Sequence, residues 1–120
     1  MSVNAATAAG RAAIKFACAQ LGDPYHWAAT GPNSWDCSGL TMKAFAAAGV
    51  SLPHSSKMQA NYGTRVSVSK MEVGNLIFFN RPITHVAIYL GHNKMVHAPN
   101  SSTVVKVEKL YDTPSAAVRL

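Results

Sequence analysis

The pattern of the chain changes near Gly63, and that change constrains the fold more than any other feature. Before it come helix formers with apolar positions three and four apart. From about Ala5 to Leu21 the residues are mostly Ala, Leu, Lys and Gln, and Ile14, Ala17, Cys18 and Leu21 recur at helical spacing. Gly22 and Pro24 end that predicted helix. Gly31, Pro32, Asn33 and Ser34 make a turn-rich loop. A second helix is predicted from about Ser38 to Ala48, with Leu40, Ala44, Phe45 and Ala48 on one face and Gly49 as its stop. A third, short one is predicted from Ser56 to Tyr62, closed by Gly63. After Gly63 the apolar runs are short and rich in Val, Ile, Phe and Tyr. Asn75 to Asn80, His85 to Leu90, Lys94 to Ala98 and Thr103 to Val107 read as strands, with turns at Gly91-His92-Asn93 and Asn100-Ser101-Ser102. Helices first and strands later imply an α+β fold, N-terminal helices packed on a mostly antiparallel sheet.

At 120 residues this is one domain, 1–120, long enough to bury a core without a staple. A charged fraction of 13% against a hydrophobic fraction of 48% argues for a packed chain over a disordered one. No apolar run reaches the roughly 18 residues needed to span a bilayer, so no membrane insertion is expected. Met1 to Gly10 lacks a basic head followed by an apolar core and does not read as a signal peptide. The net charge of +6 suits an anionic partner or plain solubility. Its Lys and Arg residues are spread along the chain without aromatic interleaving, so nothing marks a nucleic-acid groove.

Two cysteines do not make a disulfide scaffold. Cys18 lies in the Ala-rich helix and reads as a small buried residue. Cys37 lies between the turn-rich loop and a helix start, with Asp36 before it as a candidate N-cap. Helix N-termini carry free N–H groups and a positive partial charge. Such a place is expected to lower a thiol pKa and to hold an oxyanion. A thiol nucleophile needs a base, and the base needs a partner that orients it. Of the five histidines, His26, His54 and His92 fall in loops or turns, where solvated surface is the default, whereas His85 and His97 fall inside strands. If Leu90 pairs with Lys94, Ala87 opposes His97, and His85, Ala87 and His97 share one face. The two histidines are then diagonal neighbours, roughly 7–8 Å apart at the backbone and within reach of each other's rings. Cys37, His85 and His97 fit a Cys-His-His nucleophilic site or an open zinc site. Spacing does not separate the two; the helix-start cysteine favours the thiol, and no C-x-x-C or H-E-x-x-H pattern supports zinc.

The chain resembles the NlpC family of cell-wall cysteine peptidases from about Ala12 to Val107. The matching pieces are Pro24-Tyr25-His26-Trp27, Asp36-Cys37-Ser38-Gly39-Leu40, Gly74-Asn75-Leu76-Ile77-Phe78-Phe79, His85 to Gly91, and Met95-Val96-His97-Ala98. The resemblance implies a papain-like fold and hydrolysis of peptidoglycan stem peptides. The family's common cut lies between γ-D-glutamate and a diamino acid such as meso-diaminopimelate. It makes Cys37 the nucleophile, His85 the base and His97 the orienting residue, with no cofactor and no metal. It places Tyr25 near the oxyanion and the substrate. It makes Asp36 and Ser38 candidates to hold the free amine of an N-terminal L-alanine, and Ser56 a substrate contact. Two positions depart from the family pattern. Ala28 stands where glycine is usual and is expected to narrow the cleft; Asn75 stands where aspartate is common and is expected to alter a turn.

The runner-up is amidase or acyl-transfer chemistry on another amide with the same three residues, since a fold does not fix a substrate. A non-enzymatic wall-binding module would be expected to have lost Cys37 or His85. The implied substrate lies in the bacterial envelope or outside the cell. A delivery partner or a further targeting segment is therefore expected, because the chain shows no signal peptide.

Overall fold

The computed structural model describes residues 5–120; the first four, part of the Ala-rich start, lie outside the described residues. Helix α1 runs Ala8–Ala19, α2 Cys37–Ala46 and α3 Ser56–Gln59. Strands follow as β1 (Thr64–Val66), β2 (Leu76–Phe79), β3 (His85–Gly91), β4 (Lys94–His97), β5 (Lys106–Lys109) and β6 (Ala116–Arg119). The strands form one sheet in the order β1-β6-β2-β3-β4-β5, antiparallel at every pairing. The α+β expectation of helices on an antiparallel sheet holds.

Each helix is shorter than its apolar pattern suggested, because the caps decide its ends. Thr7 is extended and its hydroxyl accepts the Gly10 N–H at 2.9 Å, so α1 begins after it. Gln20 leaves the helical region, which puts Leu21 outside α1 and 43% exposed. The buried stripe is Gly10, Ala13, Ile14 and Ala17, spaced as one helix face requires. In α2, Leu40, Ala44 and Phe45 are fully buried. The main core joins these stripes to one sheet face: Leu76, Phe78, Val86, Ile88, Val96, Ala116 and Val118. Trp35 closes it, edge-on to Phe16 at 5.7 Å. A second cluster on the other face holds Ile77, Phe79, Ala87, Met95 and Ala117. All of β2 is buried because both its faces are covered, which is why it reads as an unbroken Leu-Ile-Phe-Phe run.

The β3–β4 hairpin sets the register of the site. Ile88 pairs with Val96 and Tyr89 with Met95, the register expected from the sequence. At the turn the expected Leu90–Lys94 pair does not form. Gly91 pairs with Lys94 instead, and Leu90 is the extra residue of a bulge. His92 and Asn93 take φ of 51° and 61°, as a two-residue hairpin turn of the primed kind requires. The irregularity is confined to the tip, so the face shared by His85, Ala87 and His97 survives it. The last predicted strand, Thr103–Val107, is displaced to Lys106–Lys109. Val105 N–H is taken by Asp23 C=O and the Gly22 N–H by Val105 C=O, so that stretch binds the loop after α1 rather than β4.

Candidate active site

Cys37 is the first residue of α2, one position earlier than the expected helix start. Asp36 is extended, and its carboxylate accepts the Gly39 N–H at 2.6 Å. This cap fixes where the helix begins and hence where the sulfur sits. Gly39 is there for space: a Cβ on it would lie 2.2 Å from the Ala29 carbonyl oxygen and 2.8 Å from Asp36 Oδ1. The loop before the helix folds onto this gap, with Asp36 N–H donating to Ala29 C=O at 2.9 Å.

The expected depression of the thiol pKa is not found. The N–H groups of Val86, Ser38 and Cys37 itself do favour the thiolate, but burial outweighs them and the Asp36 carboxylate adds to it, so the Cys37 thiol is pushed up. His85 moves the other way. Burial and the adjacent His97 press it down to about 4, against a weaker pull upward from Glu108. Both shifts favour the uncharged forms, the thiol of Cys37 and the neutral imidazole of His85.

The sulfur meets β3 at Val86, the residue after His85. His85 and His97 are 8% and 1% exposed. His85 Nε2 and His97 Nδ1 stand 2.7 Å apart, and His97 Nε2 stands 2.6 Å from Glu108 Oε1. Phe79 packs beside the His85 ring at 5.8 Å and Tyr111 beside His97 at 6.2 Å. A zinc ion would spread two histidine nitrogens to about 3.3 Å, since each Zn–N bond is about 2.0–2.1 Å. The 2.7 Å spacing is that of a hydrogen bond. Among the described residues no three His, Cys, Asp or Glu side chains are arranged to hold a metal.

Tyr25 hangs on the edge of the loop after α1, its N–H on Thr103 C=O at 3.1 Å. Its hydroxyl is pushed up by burial and then by Cys37 and Asp36, the two residues it faces. Ser38 is buried to 7%, its hydroxyl turned to Asp36 at 3.5 Å. Asp36 is more heavily used than its sequence context suggests: besides its cap, both oxygens lie 2.9 Å from His54 Nε2. His54 is therefore a partner of the helix cap instead of a free surface residue. Ser56 is the first residue of α3, two positions beyond His54 and half-buried. The structure thus gathers Tyr25, Asp36, Cys37 and Ser38 at one helix start and His85 with His97 beside it. Ser56 belongs to the neighbouring segment.

Three residues of this region, Gln59, Glu108 and Tyr111, carry no signal in the sequence, and His54 reads there only as solvated surface. Gln59 is fully buried; its amide donates to Ser38 C=O and Pro53 C=O at 3.0 and 2.9 Å and accepts from Thr41 at 2.7 Å. The two departures also resolve. Ala28 is exposed and takes φ of 65°, so the glycine preferred there serves the backbone, and the methyl does not narrow a cleft. Asn75 accepts the Glu72 N–H at 2.7 Å through its side-chain oxygen, a bond aspartate would make equally, and the turn is kept.

The NlpC/P60 family model matches residues 22–118. A probable endopeptidase of Corynebacterium glutamicum is 44% identical over 115 residues, covering 95% of this chain and 55% of that protein, so the chain spans little more than half its length. The probable endopeptidase p60 of Listeria monocytogenes is 41% identical over 93 residues, 76% of this chain and 19% of that protein. Among solved structures, the NlpC/p60 domain of the peptidoglycan hydrolase SagA superposes with a TM-score of 0.86 at 34% identity, covering 92% of this chain and 98% of that one. The peptidoglycan hydrolase RipB of Mycobacterium tuberculosis gives 0.83 at 31%, covering 92% and 64%. A papain-like domain with a helix-start cysteine and two strand histidines, matched over most of its length, this chain belongs to the NlpC/P60 family of cysteine peptidases.

Proposed function

We propose that the domain is a peptidoglycan endopeptidase that cuts wall stem peptides at the γ-D-glutamyl–diamino acid bond, with Cys37 as nucleophile, His85 as base and His97 as orienting residue. The observation that carries this reading is the buried His85–His97 contact at 2.7 Å, beside a cysteine at a capped helix start. His97 occupies Nε2 of His85, which leaves Nδ1 to take the thiol proton as the sulfur attacks the stem carbonyl. The free N–H groups at the start of α2 and the Tyr25 hydroxyl are the donors available to the oxyanion. His85 then returns the proton to the leaving amine, and water, deprotonated by the same ring, releases the thioester.

Asp36 and Ser38 are the candidates for the free L-alanine ammonium. His54 already contacts both Asp36 oxygens, so an ammonium shares the carboxylate with it or displaces it. The substrate puts the site of action in the bacterial envelope or outside the cell, reached with a delivery partner or a further targeting segment. No helix among the described residues is long and apolar enough to cross a membrane.

The test is digestion of purified muropeptides and free stem peptides, followed by mass analysis. Products ending in γ-D-glutamate are expected from the wild type and none from Cys37→Ala, with N-acetylated stems cut more slowly. Cleavage at wild-type rate by Cys37→Ala would sink the mechanism. Turnover only of other amides would favour amidase or acyl-transfer chemistry.

A further inference from the structure

We infer that Glu108 is a positioning residue that, acting through His97, fixes which nitrogen of His85 carries the proton. The inference deepens the peptidase reading and rests on it for its kinetic part. It begins with three groups in a row: His85 Nε2 to His97 Nδ1 at 2.7 Å, and His97 Nε2 to Glu108 Oε1 at 2.6 Å. A carboxylate can only accept a hydrogen bond. His97 must therefore hold its hydrogen on Nε2 and donate it to Glu108. In a neutral His97 the other nitrogen, Nδ1, is then bare and can only accept. The hydrogen between the rings must belong to His85 Nε2. Neutral His85 is left with a bare Nδ1, the one nitrogen able to receive the thiol proton.

Without the carboxylate this order is not enforced. Two neutral imidazoles in contact can share their hydrogen either way. In the reversed arrangement His97 donates from Nδ1, His85 carries its hydrogen on Nδ1, and that ring cannot act as a base towards Cys37. Two histidines alone make an orienting pair with no preferred sense; an acceptor-only group at the far end gives it one. The connection runs through β5. His97 opposes Lys106 and Met95 opposes Glu108, so Glu108 reaches His97 diagonally across the strand pair. Glu108 Oε2 also lies 3.5 Å from Lys106 Nζ, leaving Oε1 to the histidine.

The charged and titratable groups of this region are few. Cys37 and Asp36 lie at the start of α2 and Tyr25 in the loop before it; Lys106 and Glu108, the two that act on the histidines, lie on β5, and Tyr111 and Asp112 follow it. Of these, Glu108 is the one that raises both histidines, while Lys106 opposes it at His97. Removing the carboxylate therefore has two effects of different kind. It lowers the basicity of His85, which moves the acid limb of kcat/KM to lower pH. It also lets the reversed tautomer form, which lowers kcat on the plateau.

The experiment compares Glu108→Leu and Glu108→Gln with the wild type in two readouts. The first is the pH profile of stem-peptide cleavage. We expect kcat to fall about 10- to 100-fold in Glu108→Leu, less in Glu108→Gln because its amide oxygen still accepts, and the acid limb to shift down in both. The second readout, nitrogen-15 spectra of the histidine rings at neutral pH, needs no activity. Both His85 and His97 should be Nε2–H in the wild type, with an Nδ1–H population appearing in Glu108→Leu. Should that variant not fold, Glu108→Gln carries the limb shift. Wild-type His85 protonated on Nδ1, or a folded variant with unchanged tautomers and an unmoved acid limb, would overturn the inference. A domain that cuts no stem but shows the expected tautomers would overturn the substrate reading and leave the role of Glu108 standing.

Discussion

At the scale of single residues, the loop ahead of Cys37 keeps an alanine in a conformation that suits glycine. Ala28 has φ of 65°, where a Cβ crowds the carbonyl that follows it. Relief of that crowding is worth about 1–2 kcal/mol, and the extra freedom glycine gives the unfolded chain takes back about 0.4–1 kcal/mol. Ala28→Gly is therefore expected to stabilise the domain by about 1 kcal/mol, seen as a higher urea midpoint with unchanged slope. A lower midpoint would show that the loop does not hold this conformation in solution. The Asp36–Cys37–Ser38–Gly39 run has its own division of labour. Asp36 caps, Cys37 stands at the first helical position, and Gly39 leaves room for the Ala29 carbonyl.

At the scale of elements, Gln59 couples the start of α2 to the segment that carries His54 and Ser56. Replacing it by leucine keeps the bulk but removes three buried hydrogen bonds, those to the Ser38 and Pro53 carbonyls and the one from the Thr41 hydroxyl. Pro53 C=O keeps the Ser55 N–H and Thr41 can turn to Ser38 C=O, so each bond is counted at its net worth of about 0.5–1.5 kcal/mol, and a loss of about 2–4 kcal/mol is expected in denaturant unfolding. A loss under about 1 kcal/mol would mean that water enters and replaces the amide. The elements also show what the sequence could and could not reveal. The histidine face was legible because strand alternation is strict and the bulge at Leu90 falls at the hairpin tip, away from His85. β1 has no apolar run to betray it, and the Ala-Ala-Val-Arg of β6 lacks the bulky alternation of a typical strand. Glu108 stayed hidden because its role depends on how β5 pairs with β4. The residues that suggested a strand, Thr103 to Val105, are instead tied to the loop after α1. His54 meets Asp36 across 18 residues of chain with no periodic link between them.

At the scale of the whole molecule, the buried histidines make stability depend on pH. His85 titrates near 4 when folded against 6.5 as its ordinary value, and His97 is lowered too. Between those values the unfolded chain binds the proton and the folded one does not, so stability rises with pH across that window. The contribution is complete above about 6.5 and is lost as pH falls towards 4. Urea midpoints measured at about pH 7.5 and about pH 5 should therefore differ, the acidic one being lower, and His85→Gln should narrow the gap. Equal midpoints would show that the rings are hydrated. The positive charge, spread out in the sequence, is partly gathered in space. Lys57, Arg65 and Arg81, from α3, β1 and the β2–β3 loop, line one groove of about 270 Å³.

The place of β6 between β1 and β2 has a consequence for how the chain is made. Among the described residues β1 pairs with β6 alone, and β2 lacks its second neighbour until residues 116–119 arrive. A nascent chain emerging from the ribosome can pair β2 with β3, β3 with β4 and β4 with β5, in order, as each appears. It cannot close the sheet. Until the last of these residues is free of the exit tunnel, one edge of β2 and the whole of β1 stay open, with the buried Phe78 and Phe79 at that edge. The domain thus stays unfinished and partner-seeking until β6 emerges, the condition in which a chaperone or a translocase that handles unfolded chains can still take hold of it.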